Sequence, residues 1–237
     1  MIGQIKAKMF LSEERGLNET EWFRSCNTFN FGKYQFEQKQ PFGDVYVLND
    51  DILDGGASYS MLVEERSYII LLPVAGAIAY KDSTGNENLV AAGQIQLLTL
   101  DKDIVMEFTN PFKKEPVNFL QIWIRQKPGS PDMKHCLSTY DINEFQNSLI
   151  SISPQSLDRS TPPFNISIGK FSGRGETVYR SIHKDAGVFL FAIEGAFEAN
   201  GCLLHTGDGL ALEEKNEIDV EALSADAILL VVETSIG

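Results

Sequence analysis

The sequence predicts an all-β protein made of two antiparallel β-barrels of similar plan. Short apolar stretches are broken by glycine, asparagine and aspartate about every ten residues, as in proteins built from strands and tight turns. Helical periodicity is weak along the whole chain. In addition, one pattern of strand, glycine, hairpin, glycine and strand occurs twice, which two barrels of one design would produce.

Four apolar runs in the first half of the chain are rich in β-branched and aromatic residues, which favour strands. They span residues 45–48, 68–72, 77–80 and 117–124. The polar residues 49–51 follow the first run and predict a turn, with Asp50 and Asp51 as a solvated acidic pair. Residues 82–86 predict a hairpin turn, because glycine and asparagine tolerate the positive φ that such turns need.

One short helix is predicted over residues 141–150. Asp141 fits the N-cap and Glu144 occupies the capping-box position three residues later. Phe145 and Leu149 would share one face of this helix, because residues four apart lie one above the other.

The chain divides into two β regions joined by this helical segment. Proline and glycine at residues 127–131 end the first region, and strand texture resumes at residue 164. We therefore expect an N-terminal domain over residues 1–126, a linker with one short helix over 127–163, and a C-terminal domain over 164–237.

An internal repeat supports this division. Residues 69–77 can be laid over residues 188–196, and residues 92–98 over residues 206–212. The two copies differ in length in the hairpin between their two glycines, where length variation is tolerated. These glycines are Gly76 and Gly93 in the first copy and Gly195 and Gly207 in the second. Two related domains are the simplest source of a repeat this long.

Charge and hydropathy exclude several functional classes. The chain has 33 acidic and 20 basic residues, a formal net charge of -13 and a pI of about 4.7. Nucleic acids and anionic membranes both require a basic surface, so neither is an expected partner. No apolar run approaches the ~20 residues of a membrane span, and no secretory leader pattern opens the sequence. We expect a soluble, cytoplasmic protein.

The three cysteines predict reduced thiols. The chain has three cysteines, an odd number, and they are widely spaced without a CxxC pair: Cys26, Cys136 and Cys202. A disulfide framework or a thiolate zinc site is therefore not expected.

The N-terminal half resembles the pirin family, whose domains are cupins. The match spans roughly residues 22–125 in the family's order. The C-terminal half resembles the second cupin of bacterial pirin-like proteins, mainly through its two glycine segments. The resemblance implies a bicupin, with two antiparallel β-barrels of the jelly-roll type in one chain. The N-terminal match is carried by residues 28–34, 42–51, 76–83, 85–86 and 116–124.

The resemblance also implies a metal. Pirin-like proteins typically bind iron or another divalent ion in the N-terminal cupin through a His-x-His pair and a later His-x-Glu pair, and some oxidise flavonols such as quercetin. Here the first pair falls on Leu62 and Glu64, and the second falls on Met106 and Phe108. We therefore expect no metal and no cofactor at these positions, which would line an apolar pocket instead.

The histidines lie elsewhere in the chain. They are His135, His183 and His205, so the N-terminal domain has none. His183 matches the second His position of the repeat, and with Asp185 it could form half a site, but no third ligand accompanies the pair. We expect His183 to be hydrogen-bonded or solvent-facing.

Three functions follow for this sequence. The first is a non-catalytic bicupin that has lost the metal site and binds a small apolar or aromatic molecule or a protein partner. The second is an oxidoreductase of the quercetin 2,3-dioxygenase type with an atypical metal site. The third is a metal-independent acid–base enzyme in which an apolar pocket raises the pKa of Glu64. The pocket can equally be filled by Met106 and Phe108, since interiors pack densely.

Overall fold

The computed structural model describes residues 7–154, 160–183, 186–213 and 215–236. These residues form β-strands, joined by turns and by two 3-10 helices at Ser12–Glu14 and Glu37–Lys39. The strands of the first half are β1 Ala7–Phe10, β2 Gly16–Glu19, β3 Phe23–Asn27, β4 Val45–Leu53, β5 Ser58–Leu62, β6 Ser67–Ala75, β7 Ala77–Asp82, β8 Glu87–Ala91, β9 Gln94–Leu100, β10 Val105–Thr109 and β11 Val117–Arg125. The later strands are β12 His135–Thr139, β13 Ile150–Ser151, β14 Asn165–Phe171, β15 Glu176–Arg180, β16 Ala186–Glu194, β17 Ala196–Ala199, β18 Cys202–His205, β19 Gly209–Leu212, β20 Glu217–Ala222 and β21 Ala227–Ser235.

Hydrogen bonds join the strands into four antiparallel sheets. The large N-terminal sheet has the order β12-β9-β6-β11-β4-β3-β2, and the small N-terminal sheet has the order β5-β10-β7-β8. The large C-terminal sheet has the order β1-β19-β16-β21-β14-β13, and the small C-terminal sheet has the order β15-β20-β17-β18. Each large sheet packs on its small sheet around a shared apolar core. The all-β prediction is confirmed. Within the described ranges, however, each expected barrel is a sandwich of two separate sheets and not one sheet closed by hydrogen bonds.

The predicted internal repeat is confirmed by the topology. The order β9-β6-β11-β4 in one large sheet corresponds to β19-β16-β21-β14 in the other, and the small sheets correspond strand by strand. Gly76 joins β6 of the large sheet to β7 of the small sheet with φ of 80°, and Gly195 joins β16 to β17 in the same way with φ of 82°. Only glycine adopts this left-handed conformation without strain, so both copies keep it at the same corner.

The two large sheets stack face to face. Ile70 and Ile122 on the N-terminal sheet belong to the same buried cluster as Phe189 and Leu230 on the C-terminal sheet. Their alternate neighbours point the other way, into the sandwich cores. Strands β6, β11, β16 and β21 are therefore buried on both faces, which explains why their sequences are continuous apolar runs.

The first strand and the predicted linker join the two halves more closely than the sequence indicates. Strand β1 pairs with β19 in the large C-terminal sheet, so the start of the predicted 1–126 domain contributes to the other domain. Within the predicted linker, β12 pairs with β9 of the N-terminal sheet and β13 pairs with β14 of the C-terminal sheet. Residues 155–159 of that linker lie outside the described residues.

The predicted helix over residues 141–150 is wrong. These residues form turns, and Ile150 begins β13. The side chain of Asp141 accepts a hydrogen bond from the backbone N–H of Asn143 at 2.8 Å, which closes a local turn instead of capping a helix. Phe145 is 51% exposed, so no apolar face is buried to stabilise a helix this short.

The structure also bears on the three cysteines and on membrane-spanning helices. Cys26, Cys136 and Cys202 form no disulfide within the described residues, and all three are partly buried. Within the part of the chain that the structure describes, no helix combines the length and apolar character needed to cross a membrane.

Replacing Phe10 by alanine tests how strongly β1 couples the halves. Phe10 is 1% exposed, and its ring contacts Phe29 at a centroid distance of 5.2 Å and Phe189 at 5.6 Å. We expect the free energy of unfolding in urea to fall by ~3–5 kcal/mol, the cost of a buried aromatic cavity. Phe145→Ala, at an exposed phenylalanine, should change it by less than ~0.5 kcal/mol. Equal effects of the two substitutions would show that β1 is not part of the shared core.

Candidate functional site

A cavity of about 390 Å³ opens into the N-terminal sandwich. It lies between strands β3, β4 and β11 of the large sheet and strand β5 of the small sheet, and we call it the N-terminal cavity. Its volume is in the range of small-molecule binding sites. Five aromatic side chains and several polar side chains line it. The aromatic residues are Phe23, Phe31, Tyr46, Tyr59 and Trp123.

The carboxyl group of Asp51 lies at the centre of a buried hydrogen-bonded cluster in this cavity. Its Oδ2 atom accepts hydrogen bonds from the Tyr59 hydroxyl at 2.9 Å and from Gln121 Nε2. The Gln121 amide oxygen in turn accepts a hydrogen bond from Trp123 Nε1 at 3.2 Å. Asp51, Tyr59, Gln121 and Trp123 are called the Asp51 cluster below. It connects β4, β5 and β11, so its geometry is fixed by both sheets.

Two polar atoms at the bottom of the cavity have no hydrogen-bond partner in the described part of the chain. They are Oδ1 of Asp51 and Nδ2 of Asn49, and both are buried. The other side-chain atom of Asn49, Oδ1, accepts a hydrogen bond from Asn27 Nδ2 at 2.8 Å, which fixes the amide. Buried polar atoms are rarely left unpaired in proteins, so these two atoms are candidates for ligand contact.

Burial sets the protonation of this cluster. Loss of hydration raises the pKa of Asp51, the neighbouring hydroxyl of Ser25 and the hydrogen bonds from Gln121 and Tyr59 lower it, and the nearby Asp50 raises it, with a net value of about 6. Burial, followed by the charge of Asp51, raises the pKa of Tyr59 well above its ordinary value. Tyr59 is therefore a hydrogen-bond donor at neutral pH, and Asp51 can gain or lose its proton near physiological pH.

The structure does not bring the four sequence-predicted pocket residues together. Met106 and Phe108 are fully buried in the core of the N-terminal sandwich, where the Phe108 ring contacts Phe119 at a centroid distance of 5.9 Å. Leu62 is 51% exposed and Glu64 is exposed, and both lie at the rim of the N-terminal cavity. The expectation that Glu64 points into an apolar pocket is thus corrected.

The register of β5 explains this correction. Leu62 pairs with Val105 and points outwards, whereas Tyr59 and Met61 point into the sandwich. The family spacing that selects Leu62 and Glu64 does not fix the direction of their side chains, because Leu62 is the last residue of β5 and Glu64 lies between β5 and β6. A shift of one residue moves every side chain of a strand to the other face.

The sequence contained a signal for Asp51 that the turn prediction hid. Residues 49–51 are not a turn but lie inside β4, which runs from Val45 to Leu53. Asn49 and Asp51 alternate with outward neighbours and share the inner face with Val47 and Leu53. Polar residues at inward positions of a buried strand are the mark of a functional or network site.

The donors of the cavity do not fit the metal that the pirin resemblance implies. That site needs imidazole and carboxylate ligands, which suit a non-haem divalent ion. The N-terminal cavity is instead lined by the carboxyl of Asp51, the phenol of Tyr59 and the thioether of Met61, and the buried amide of Gln121 contacts all three. In the residues described, no group of three or more His, Cys, Asp or Glu side chains could hold a metal ion.

The C-terminal sandwich holds a different buried carboxyl group. Glu233 on β21 accepts hydrogen bonds from the Tyr179 hydroxyl at 2.8 Å, from Nδ1 of His183 at 2.7 Å and from the backbone N–H groups of Ile182 and His183. Burial alone raises its pKa, but these hydrogen bonds outweigh burial and lower it. The expectation that His183 is hydrogen-bonded is confirmed; Asp185 lies outside the described residues.

The other two histidines do not form a site. His135 stacks on Tyr80 at a centroid distance of 6.4 Å, and its Nδ1 lies 3.2 Å from the Tyr80 hydroxyl. His205 is exposed at the end of β18.

Comparisons with known proteins give consistent matches. The family model described as Pirin matches residues 10–124, and the model described as the quercetinase C-terminal cupin domain matches residues 164–233. The chain is 25% identical over 221 residues to the quercetin 2,3-dioxygenase of Escherichia coli K12, covering 92% of this chain and 95% of that protein. It is also 25% identical over 220 residues to a pirin-like protein of Caulobacter vibrioides, covering 90% and 93%.

A solved structure shares the whole fold. The bacterial pirin YhhW of Escherichia coli, in complex with nickel(II), superposes with a TM-score of 0.79 at 20% identity and covers 98% of this chain and 100% of its own. At that identity, the likeness shows the fold, including both cupin domains.

Asp51→Asn tests the buried carboxyl through stability. The folded pKa of about 6 lies above the ordinary value of 3.8, so the folded state holds its proton more tightly. Stability from this group is therefore lost as the pH rises from about 4 to about 6, by up to ~3 kcal/mol. We expect Asp51→Asn to gain ~2 kcal/mol of this relative to the wild type between pH 4.5 and pH 7.5 in urea unfolding. Asp101→Asn, at a carboxyl that is 71% exposed, should show no such gain.

Glu233→Gln tests the C-terminal cluster. The amide keeps one acceptor oxygen and replaces the other by an NH2 donor, so one of the backbone N–H groups of residues 182 and 183 loses its acceptor. We therefore expect the free energy of unfolding at pH 7 to fall by ~1–3 kcal/mol. Because the folded pKa of Glu233 is lowered, its contribution is complete above the ordinary value of 4.5 and is lost as the pH falls through the lower folded value. The difference from the wild type should shrink at pH 3. Glu217→Gln, at a carboxyl that is 65% exposed, is the control, and a loss as large as that of Glu233→Gln would contradict the assignment.

Proposed function

The chain belongs to the pirin family, and from that premise we propose that its N-terminal cupin binds a small organic molecule without a metal ion and without dioxygenase chemistry. The observation that carries the proposal is the Asp51 cluster, which occupies the interior of the N-terminal sandwich with hydrogen-bonded organic side chains. The alternative activity, oxidation of a flavonol, needs a bound redox metal. The presence or absence of a tightly bound metal ion therefore distinguishes the two functions.

The inward positions of β5 and β10 support the absence of a metal. They carry Tyr59, Met61, Met106 and Phe108, none of which supplies an imidazole or a carboxylate. The one carboxyl group in the cluster, Asp51, already uses Oδ2 for two hydrogen bonds. A single remaining carboxylate oxygen is a poor anchor for a divalent ion that takes several N or O ligands.

The composition of the cavity supports an organic ligand. Small-molecule sites combine apolar walls with a few placed polar groups that fix orientation. The N-terminal cavity has aromatic walls, one unpartnered acceptor on Asp51 and one unpartnered donor on Asn49. A concave site of this kind suits a small molecule better than a protein surface. Cysteines that form no disulfide in the described residues suit a reducing compartment such as the cytoplasm, where we propose that the protein resides.

Acid–base catalysis is the second candidate, and Asp51 takes the place of Glu64 in it. Asp51 is buried in the cavity with a pKa of about 6, whereas Glu64 is exposed at the rim. A base works best when its pKa is near the operating pH. Turnover of a bound compound that is lost in Asp51→Asn and kept in Glu64→Gln would identify this activity.

Metal content tests the main proposal. Untagged protein is purified without chelator, incubated in turn with Fe(II), Ni(II), Mn(II), Cu(II) and Zn(II), desalted and analysed by elemental mass spectrometry. We expect far less than one ion per chain, whereas the nickel-binding pirin YhhW treated in parallel should retain its ion. One tightly held ion per chain, lost in Asp51→Asn, would contradict the proposal; oxygen uptake with quercetin would then establish the oxidoreductase.

A further inference from the structure

The charged groups of the N-terminal cavity are all acidic. Asp51 and Glu64 line it, and among the described residues its lining includes no lysine, arginine or histidine. The neighbouring Arg125 lies over the ring of Tyr46, one wall of the cavity, at 4.7 Å, and its charge is paired with Glu65, whose Oε1 accepts a hydrogen bond from Arg125 Nε at 3.0 Å. A concave site lined by one sign of charge concentrates ligands of the opposite sign.

Arg15 does not supply a positive charge to the cavity. It is not among the lining residues, and its Nη1 lies 3.6 Å from Asp50 Oδ2. Its guanidinium also sits over the Phe191 ring at 5.2 Å, in the layer between the two large sheets. Its charge therefore acts mainly on Asp50, and more weakly on Asp51, without entering the lining of the cavity.

The aromatic walls add a second feature that points to the same ligand class. The Trp123 ring is met nearly edge-on by Phe31 at 74° and by Tyr46 at 84°, with centroid distances of 6.4 and 6.2 Å. Phe23 and Tyr59 pack together on another side at 4.3 Å. Rings at steep angles to one another can surround a ligand on several sides. The faces of aromatic rings attract cations.

The unpartnered oxygen of Asp51 completes the pattern. Asp51 is 1% exposed, Tyr59 and Gln121 hold its Oδ2, and its Oδ1 has no donor within the described residues. A buried carboxylate is costly without a compensating charge. A neutral or anionic ligand would leave this cost in place, whereas a bound cation removes it.

From these observations, and on the basis of the proposed metal-free site, we propose that the N-terminal cavity binds a small organic cation, an amine or quaternary ammonium compound. The ammonium group lies among the aromatic rings with its charge near Asp51, and Glu64 at the rim attracts the ligand. Asn49 Nδ2 is free to donate to an acceptor elsewhere on the ligand.

Matched ligands separate charge from shape. Metal-free protein is titrated calorimetrically with benzylamine, benzyltrimethylammonium and choline. The neutral counterparts are benzyl alcohol and 3,3-dimethylbutan-1-ol, and benzoate is the anion. We expect at least one ammonium compound to bind about tenfold more tightly than its neutral counterpart, and benzoate not to bind.

Variants locate the site. Asp51→Asn should weaken ammonium binding by about tenfold or more, and Phe31→Leu, which keeps apolar bulk but removes the ring, by about threefold. Glu64→Gln changes an exposed residue and cannot disturb folding, so its smaller loss of about twofold guards against a misfolded Asp51 variant. Glu107→Gln, at an exposed carboxyl outside the cavity, should leave affinity unchanged.

The possible negative results distinguish the cation proposal from the proposed metal-free binding. Equal affinity for charged and neutral counterparts would overturn the cation while leaving metal-free binding intact. Absence of saturation by all three ammonium compounds at about 10 mM, beyond the weak end of specific affinity, would also overturn it. Binding that appears only after a metal is added would overturn both the cation and the proposed function.

Discussion

Ile70 and Ile122 from one large sheet share a buried apolar layer with Phe189 and Leu230 from the other, and this layer organises the molecule. Each fully buried aliphatic or aromatic side chain in it stabilises the fold by ~1.5–3 kcal/mol. The layer covers one face of each large sheet, so the interior of each sandwich lies on the other face. The N-terminal cavity lies on that side, beside β5, and the paired strands β4 and β11 form one of its walls.

The two sandwiches use one scaffold for two different buried carboxyl groups. Glu233 receives hydrogen bonds from a tyrosine, a histidine and the backbone, so its charge is satisfied and its pKa is lowered. Asp51 receives hydrogen bonds from Tyr59 and Gln121 on one oxygen only, and its pKa is raised. A satisfied carboxylate holds a loop in place. An unsatisfied carboxyl facing a cavity is the arrangement expected of a binding or catalytic group.

Sequence patterns predict the parts of this structure that depend on local geometry. The repeat was visible because Gly76 and Gly195 must adopt a left-handed φ at the same corner of each copy. The pattern at residues 141–150 indicated a helix, but only burial of an apolar face could stabilise one, and tertiary structure gives it none. Asp51 is hard to recognise in the sequence because its polar neighbours give residues 49–51 the composition of a turn. The inward direction expected for Leu62 is wrong because spacing alone does not give the register of β5, and a shift of one residue reverses the direction of every side chain in a strand.

The titration of the Asp51 carboxyl, followed by carbon NMR on protein labelled at the aspartate carboxyl carbons, tests the central claim most directly. Asp51→Asn identifies the signal. A buried, metal-free carboxyl predicts a midpoint of about 6, with the signal unchanged by one equivalent of paramagnetic Ni(II). A midpoint at or below about 4, the ordinary range of a hydrated aspartate, or loss of the signal on adding Ni(II), would contradict it, because Asp51 would then be solvated or bound to the metal.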